Sequence, residues 1–498
     1  MQLNLSTVYT AAALGVASFG EGLALVVAGG TARLMYSEAD INRAMSLSLG
    51  AISTAGSGFA SPQSLAAPKP AGNLDPGHGY AFQTDGTILR AYVFNSHSGV
   101  LTASVLGSTG LPGSSQTVTT DQGELKGVET FTMLGGATGD FSAVSQWNTA
   151  GLKLFQVNAN GGLTGTDQIT DSDKSFVATV SDTASVTLDG QTYLLTLSAL
   201  ENGITCYAVD AAGKATLNDS LGAHDMLAVS GPAALQVIDV AGVTYAVIAS
   251  TGSSSLTVVR VNAMGCLFLT DQVVDDRSTR FEHTAVLDSF TANGRNFMVT
   301  AGTDAGVTVM ELLPDGHLQH FATGVFETGS GMAAITGLEV AVNGTTVSVY
   351  VTDASATHVQ KIDMALATLG GQVDALGGQA NGTAKADLIW GSSADETLLG
   401  WADDDFIFSG GGADVMTGGT GADLFVMAAG SDNGRITDFV LHSDRIDLSD
   451  WGHVYTAAAL TITATSTGAV ITLNGHDLTV IAGHSLTAAS FVDNDFVF

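Results

Sequence analysis

The chain of 498 residues carries 48 acidic against 16 basic residues, a formal net charge of −32, with 61 glycines. A field of that sign repels phosphate backbones and argues against a nucleic-acid partner. With 45% hydrophobic and only 13% charged residues, the chain is not a disordered acidic tail. Its Val, Leu, Thr and Ser runs between Gly and Asn turns read as short strands, so the expected class is all-β.

Met1 to Gly20 contains no Lys or Arg before the mildly apolar Ala11–Val16 stretch, which argues against a cleaved secretory peptide. No apolar run reaches membrane-spanning length, so no membrane insertion is expected, and Leu23–Gly29 reads as one buried strand. Met1–Ala11 reads as a further strand, with Leu3, Leu5 and Val8 as its apolar positions.

A unit of apolar strand, turn, alternating strand and Gly turn then recurs. Its clearest copies pair Tyr193–Leu197 with Ile204–Asp210, Tyr245–Ala249 with Leu256–Val261, Phe297–Thr300 with Val307–Leu312, and Val347–Val351 with His358–Asp363. Weaker copies begin at Leu23, Tyr80 and Phe141. Later copies are preceded by a strand ending in Asp189-Gly190, Ala241-Gly242 or Asn343-Gly344, tight-hairpin dipeptides that accept positive φ. Four strands repeated seven times predict a seven-bladed β-propeller over residues 1–368, closed by Met1–Ala11 joining the last blade. A pair of β-sandwiches or an open solenoid is the alternative. Cys206 and Cys266 read as separate thiols, or as a disulfide if their Cα atoms lie within about 7 Å.

Polar candidates cluster near blade starts: Asp171, Asp173, His224, Asp225, Arg277, Arg280, Glu282, His283 and Glu327. Of these, His224-Asp225 and Glu282-His283 are the pairs suited to a metal or a general base, against ordinary loop polarity as the plainer reading. No nucleophile-elbow serine and no His-Glu-x-x-His motif is present.

After an expected linker at 369–381 the pattern changes. Acids stand at Asp387, Glu396, Asp405, Asp414 and Asp423, nine apart, and each is followed two places later by an apolar residue: Ile389, Leu398, Ile407, Met416 and Phe425. Six-residue Gly-rich turns followed by three-residue strands wind a chain into two stacked parallel sheets, with the apolar side chains inside. The expected domain is therefore a parallel β-roll over 382–430. Its oxygen-only turns suit Ca2+ better than Mg2+ or zinc. The expected ligands are Asp387, Glu396, Asp405, Asp414 and Asp423, with the turn residues Gly400, Ala402, Asp403, Gly410, Gly412, Gly419 and Gly421. Lys385 and the longer Glu396 make the first turns the poorest, and about two to four ions are expected.

These units resemble the GGxGxDxUx repeats of the RTX (repeats-in-toxin) exoproteins. Arg435–Phe439 and Asp444–Ser449 resemble the segment that caps the roll in serralysin-type members, which implies a β cap over 431–498. Asp493–Phe498, acids before an apolar end, resembles the uncleaved signal read by type I secretion machinery, which implies a secreted, extracellular or surface-associated protein. The upstream copies resemble lactonase-type or YVTN-type propeller repeats. Two functions follow from these likenesses. One is a non-enzymatic module binding a glycan, a cell surface or its own copies; the other is a lactonase-like hydrolase or lyase acting in the central funnel.

Overall fold

The computed structural model describes residues 3–10, 19–28, 31–38, 43–49, 80–84, 89–94, 101–106, 116–121, 123–125, 127–134, 140–326, 334–353, 358–452 and 454–497. Glu327 lies outside them. The chain forms two compact units, one of residues 1–290 with 296–365 and one of 291–295 with 366–498. Among the described residues no helix is long and apolar enough to cross a membrane.

In the first unit the described strands fall into seven sheets. Five run in simple chain order; one of these, for example, is Val180–Leu188, Gln191–Ser198, Gly203–Val209 and Ala215–Leu221. In three of them the hairpin joining the first two strands carries positive φ at both turn residues, at Asp189-Gly190 (47° and 82°), Ala241-Gly242 (51° and 82°) and Asn293-Gly294 (53° and 81°). The last sheet takes Leu3–Thr10 as its fourth strand, antiparallel to His358–Ala365. Among the described residues no strand pairing joins one of these sheets to another.

The second and third strands are buried on both faces. Neighbours such as Leu194 and Leu195, Val247 and Ile248, or Val258 and Val259 are all fully buried although they point to opposite sides. The sheets of Gln191–Ser198 and Val243–Ser250 therefore each have a sheet on either face. One apolar cluster joins Leu195, Ile204 and Cys206 to Ile248 and Val259. The next joins Val247 and Val258 to Met298 and Met310. Fourth strands such as Ala215–Leu221 lie at the exposed margin. Cys206 is buried and Cys266 half-buried, both as free thiols, and burial pushes the Cys206 thiol up to about 12.

A repeated polar link ties successive sheets at this outer margin. Asp167, Asp219 and Asp271 each sit at a β-bulge of the fourth strand. Their Oδ2 atoms accept the N–H of Ala215 (2.9 Å), Leu267 (2.8 Å) and Leu318 (2.7 Å), at the start of the next sheet's fourth strand. The preceding residues reach the same neighbour: Thr166 Oγ1 donates to the Gly213 carbonyl, Asn218 Nδ2 to Met264 and Thr270 Oγ1 to Gly316. The glycine turns of the next sheet receive an aromatic ring as well. A Cβ on Gly265 would lie 2.3 Å from the Tyr193 ring, and one on Gly316 2.5 Å from Tyr245.

The second unit is a parallel coil. One sheet stacks Leu369–Asp374, Ala386–Trp390, Phe406–Phe408, Leu424–Val426, Arg445–Asp447 and Phe496–Val497. The other stacks Gln379–Asn381, Thr397–Ala402, Val415–Thr420, Gly434–Ile436 and His476–Ile481, then continues antiparallel through Gly468–Leu473 and Thr461–Ala464. Register partners Ile389 and Ile407, or Leu398 and Met416, are 18 residues apart, two nonapeptides per coil. Ile389, Leu398, Ile407, Met416 and Phe425 are all fully buried in one core, which runs on into Ile436, Ile446, Trp451, Leu478, Val480 and Phe496.

The coil extends beyond 382–430 at both ends. Residues 369–381, expected as a linker, hold the first strand of each sheet. Gly434–Ile436 and Arg445–Asp447, expected within the cap, are further roll strands. Counting in nines fails there because the stacking register slips: Val373 pairs with Ile389, Val415 with Arg435 and Leu424 with Arg445.

Asp219→Ala is expected to destabilise the first unit by about 2 kcal/mol, since the Leu267 N–H loses a charged acceptor. Thermal unfolding should show a lower midpoint, and hydrogen exchange should show faster exchange at the Leu267 amide.

Candidate metal centre

The five nonapeptide acids are buried: Asp387 is 0% exposed, Glu396 4%, Asp405 2%, Asp414 1% and Asp423 1%. They form a ladder along the roll. The Asp387 N–H donates to Asp405 Oδ1 (2.8 Å), Glu396 N–H to Asp414 Oδ1 (2.8 Å) and Asp405 N–H to Asp423 Oδ1 (2.9 Å). The Asp423 N–H continues the series to Asp444 Oδ1 at 3.1 Å. Asp444 thus belongs to the acid series, although in the sequence it reads only as part of the cap. Its signal was Ile446 two places on, displaced by the three-residue slip in register.

The second carboxylate oxygens divide the series. In Asp405, Asp414 and Asp423 the Oδ2 atom is buried and has no hydrogen-bond partner. Burial without a counter-charge raises these carboxyls, to about 8 for Asp405 and about 7 for Asp414 and Asp423, with neighbouring acids adding to the effect. Asp387 and Glu396 are instead fully engaged. Asp387 accepts from Thr383 N–H (2.5 Å), Thr383 Oγ1 (2.8 Å) and Gly371 N–H (2.8 Å). Glu396 accepts from Ser392 N–H, Ser392 Oγ and Gly377 N–H, each at 2.6 Å.

Backbone conformation divides the turns in the same way. Positive φ occurs at Trp401 (85°) and Asp403 (71°), at Gly410 (70°) and Gly412 (96°), and at Gly419 (108°) and Gly421 (150°). Trp401 and Asp403 hold there a conformation that non-glycine residues rarely adopt. Asp403 keeps its Oδ1 on the N–H of Asp404, at 3.2 Å.

The glycines are spaces as well as hinges. A Cβ on Gly400 would meet Asp405 Oδ2 at 2.2 Å, and one on Gly418 would meet Asp423 Oδ2 at 2.1 Å. A Cβ on Gly419 would lie 2.1 Å from the Trp401 carbonyl oxygen, and one on Gly421 would lie 2.2 Å from that of Asp403. A Cβ on Gly412 would lie 2.7 Å from the Ala394 carbonyl oxygen. Coil thus sits on coil across bare main chain, with carbonyl oxygens and an unpartnered carboxylate oxygen in the gap. Asp395 and Asp404 brace it, accepting the N–H of Ala413 and Ala422 at 2.8 Å. Their sequence signal was the acid doublet Asp395-Glu396 and Asp404-Asp405.

Among the described residues no three His, Cys, Asp or Glu side chains converge as a metal cluster. An ion between these turns would therefore draw most of its ligands from main-chain carbonyls. A hard divalent cation fits that donor set; a soft metal does not.

The loop candidates of the first unit lie apart from any such arrangement. His224 and Asp225 are exposed in a single 3-10 turn, where Asp225 Oδ2 accepts the Gly222 N–H at 3.0 Å. Glu282 and His283 are exposed, 3.9 Å apart at Oε1 and Nδ1, and each meets Thr303 Oγ1. Asp171 caps Ser172, and Arg280 donates to the carbonyls of Arg277 and Thr279; Asp173 is exposed. Asp171, Asp225, Arg280, Glu282 and His283 are thus each engaged by their own loop or a neighbouring one.

Buried acids stacked every second turn, facing glycine-lined gaps, define a cation-binding parallel β-roll. Residues 379–407, 390–425 and 400–433 match the RTX calcium-binding nonapeptide repeat (4 copies), and residues 369–447 form an RTX-type calcium-binding β-roll. No curated protein matches the chain. Among solved structures, a protein from Lactobacillus plantarum is 14% identical over 65% of this chain and 92% of its own, with a TM-score of 0.44. The AlgE6R3 subunit from the Azotobacter vinelandii mannuronan C5-epimerase is 26% identical over 25% of this chain and 78% of its own, with a TM-score of 0.21.

Gly419→Ala and Gly475→Ala both place a side chain at strongly positive φ, but nothing lies within 4 Å of the Cβ at 475. The second change is expected to cost about 1 kcal/mol and the first about 3 kcal/mol, because it also meets the Trp401 carbonyl. Comparing the two variants' thermal midpoints in calcium checks the difference.

Proposed function

We propose that the chain is an exported calcium-binding protein in which the ion orders the C-terminal roll. The seven sheets then serve as a propeller-shaped binding or surface-attached structural module. The observation that carries the calcium reading is the set of three buried carboxylate oxygens, on Asp405, Asp414 and Asp423, that no protein donor reaches. Leaving such charges unpaired is costly, and a divalent cation supplies what is missing. The ligands are these carboxylates with main-chain oxygens of the turns around Gly400, Ala402, Asp403, Gly410, Gly412, Gly419 and Gly421.

The propeller reading is supported by the way sheets pack face to face in chain order. It is also supported by the strand Phe19–Ala28 of the first sheet lying against Ile335–Asn343 of the last. With Leu3–Thr10 completing that last sheet, the N-terminal strand acts as the latch of a ring. The polar, largely uncharged fourth strands give such a ring an outer surface suited to a glycan, a cell surface or a second copy. Export through type I secretion machinery is supported by the RTX-type repeats.

Calorimetric and circular-dichroism titration of the full chain with calcium chloride tests this reading. Calcium is expected to bind with a gain in β signal, and excess chelator to reverse that gain while the first unit's unfolding transition persists. A roll that stays fully folded in chelator and shows no binding heat would overturn it.

A further inference from the structure

We infer that the roll takes the cation only in its middle turns, 400–405, 409–414 and 418–423. The turns ending at Asp387 and Glu396 are closed by their own Thr383 and Ser392 and fold without it. The inference rests on the calcium reading above and says which part of the coil depends on the ion.

The two kinds of turn differ at one place, four residues before the acid. In the first two turns this is Thr383 or Ser392, and both its N–H and its hydroxyl point at the carboxylate. A third donor arrives from the preceding coil, Gly371 N–H or Gly377 N–H. Three donors on a carboxylate offset its desolvation, as a cation would, with neutral groups already in the chain.

In the next three turns the same place is held by Trp401, Gly410 and Gly419, all at positive φ and without a hydroxyl. The Gly419 N–H is turned away to Asp438 Oδ2 at 2.8 Å. Each of these acids keeps one coil-to-coil donor on Oδ1 and none on Oδ2.

Beyond Asp423 the turns close again. Asp444 Oδ2 accepts the Val440 N–H at 2.7 Å. Fully buried Asp495 accepts from Val492 N–H (2.8 Å) and from His442 N–H (3.0 Å), with His442 Nδ1 also 3.0 Å away. Three open turns are thus bracketed by turns that satisfy their own acids. For a cation to enter the first two turns it would have to displace three hydrogen bonds at each acid. The middle turns have none to displace at Oδ2. The first coil is therefore a preformed template on which the ion-dependent coils stack.

Hydrogen exchange read by mass spectrometry on the full chain, in calcium and in excess chelator, tests this. In chelator, the amides of Ala386, Ser392 and Thr397, which donate to Thr368, Glu396 and Gly378, are expected to keep their protection, while those of 403–424 exchange at least about tenfold faster. Loss of protection across 386–424 in step would overturn the inference and leave the calcium reading standing. No response to calcium anywhere would instead overturn the reading beneath it. Native mass spectrometry of the Ser392→Gly/Glu396→Asp double variant, which opens the second turn, is expected to show one additional calcium ion. An unchanged count would overturn the role assigned to Ser392.

Discussion

A carboxylate buried with one oxygen unpaired is the constraint on which the second unit turns. Asp405, Asp414 and Asp423 each stand inside the coil, joined to the preceding coil by Oδ1 and bare at Oδ2. Such a group either holds a proton or meets a positive charge. The apolar core beside it is thin, one side chain per nonapeptide, so it cannot by itself hold the turns at the spacing that the acids require. The coil's order is therefore tied to the charge state of its turns, and the glycines at 400, 418, 419 and 421 leave room for an ion to settle it.

The first unit meets the same problem without an ion. With 48 acids and 16 Lys and Arg, most carboxylates in this chain cannot find a basic partner. Asp219 and Asp271 divide their oxygens between the N–H of their own next residue and an N–H on the neighbouring sheet. Buried Asp288 does likewise on the first strand of its sheet, with Ser289 N–H on Oδ1 and Val340 N–H on Oδ2. Charge-assisted bonds of this kind are about twice as strong as neutral ones. In both units an acid ties one repeat to the next; the difference lies in whether the main chain supplies every donor. Amides suffice between sheets, because strand ends offer free N–H groups at a fixed offset.

Much of this was legible in the residues, and what was not has physical causes. The nonapeptides declared themselves because acid and apolar side chain recur at one interval, and the burial of Ile389 through Phe425 follows from that alternation. The coil at 369–381 and 434–447 escaped because two- and three-residue changes in loop length leave strand stacking intact while destroying the count. The hairpins at Asp189-Gly190 and Ala241-Gly242 were readable from turn chemistry alone. The inter-sheet links were written in Thr166-Asp167, Asn218-Asp219 and Thr270-Asp271, spaced 52 residues apart, but polar pairs in exposed strands carry no apolar pattern to mark them. The histidine pairs are chemically suggestive neighbours in sequence, and in the structure Asp225 and His283 hydrogen-bond within exposed loops.

Specificity for the ion is divided between side chain and main chain. The acid is nearly constant along the roll, so it cannot decide which turns need an ion. That decision falls to the residue four places earlier, through its φ and its hydroxyl. A hydroxyl-bearing residue, as at 383 or 392, folds its N–H onto the acid; glycine, or a residue forced into the left-handed region like Trp401, swings the peptide away and leaves the oxygen open. The same repeat thereby yields a self-sufficient turn or an ion-dependent one through a single position. An ion-dependent segment flanked by self-sufficient turns has a preformed surface at each end on which to order, so the entropy of nucleating a parallel coil is met by the flanks rather than by the ion.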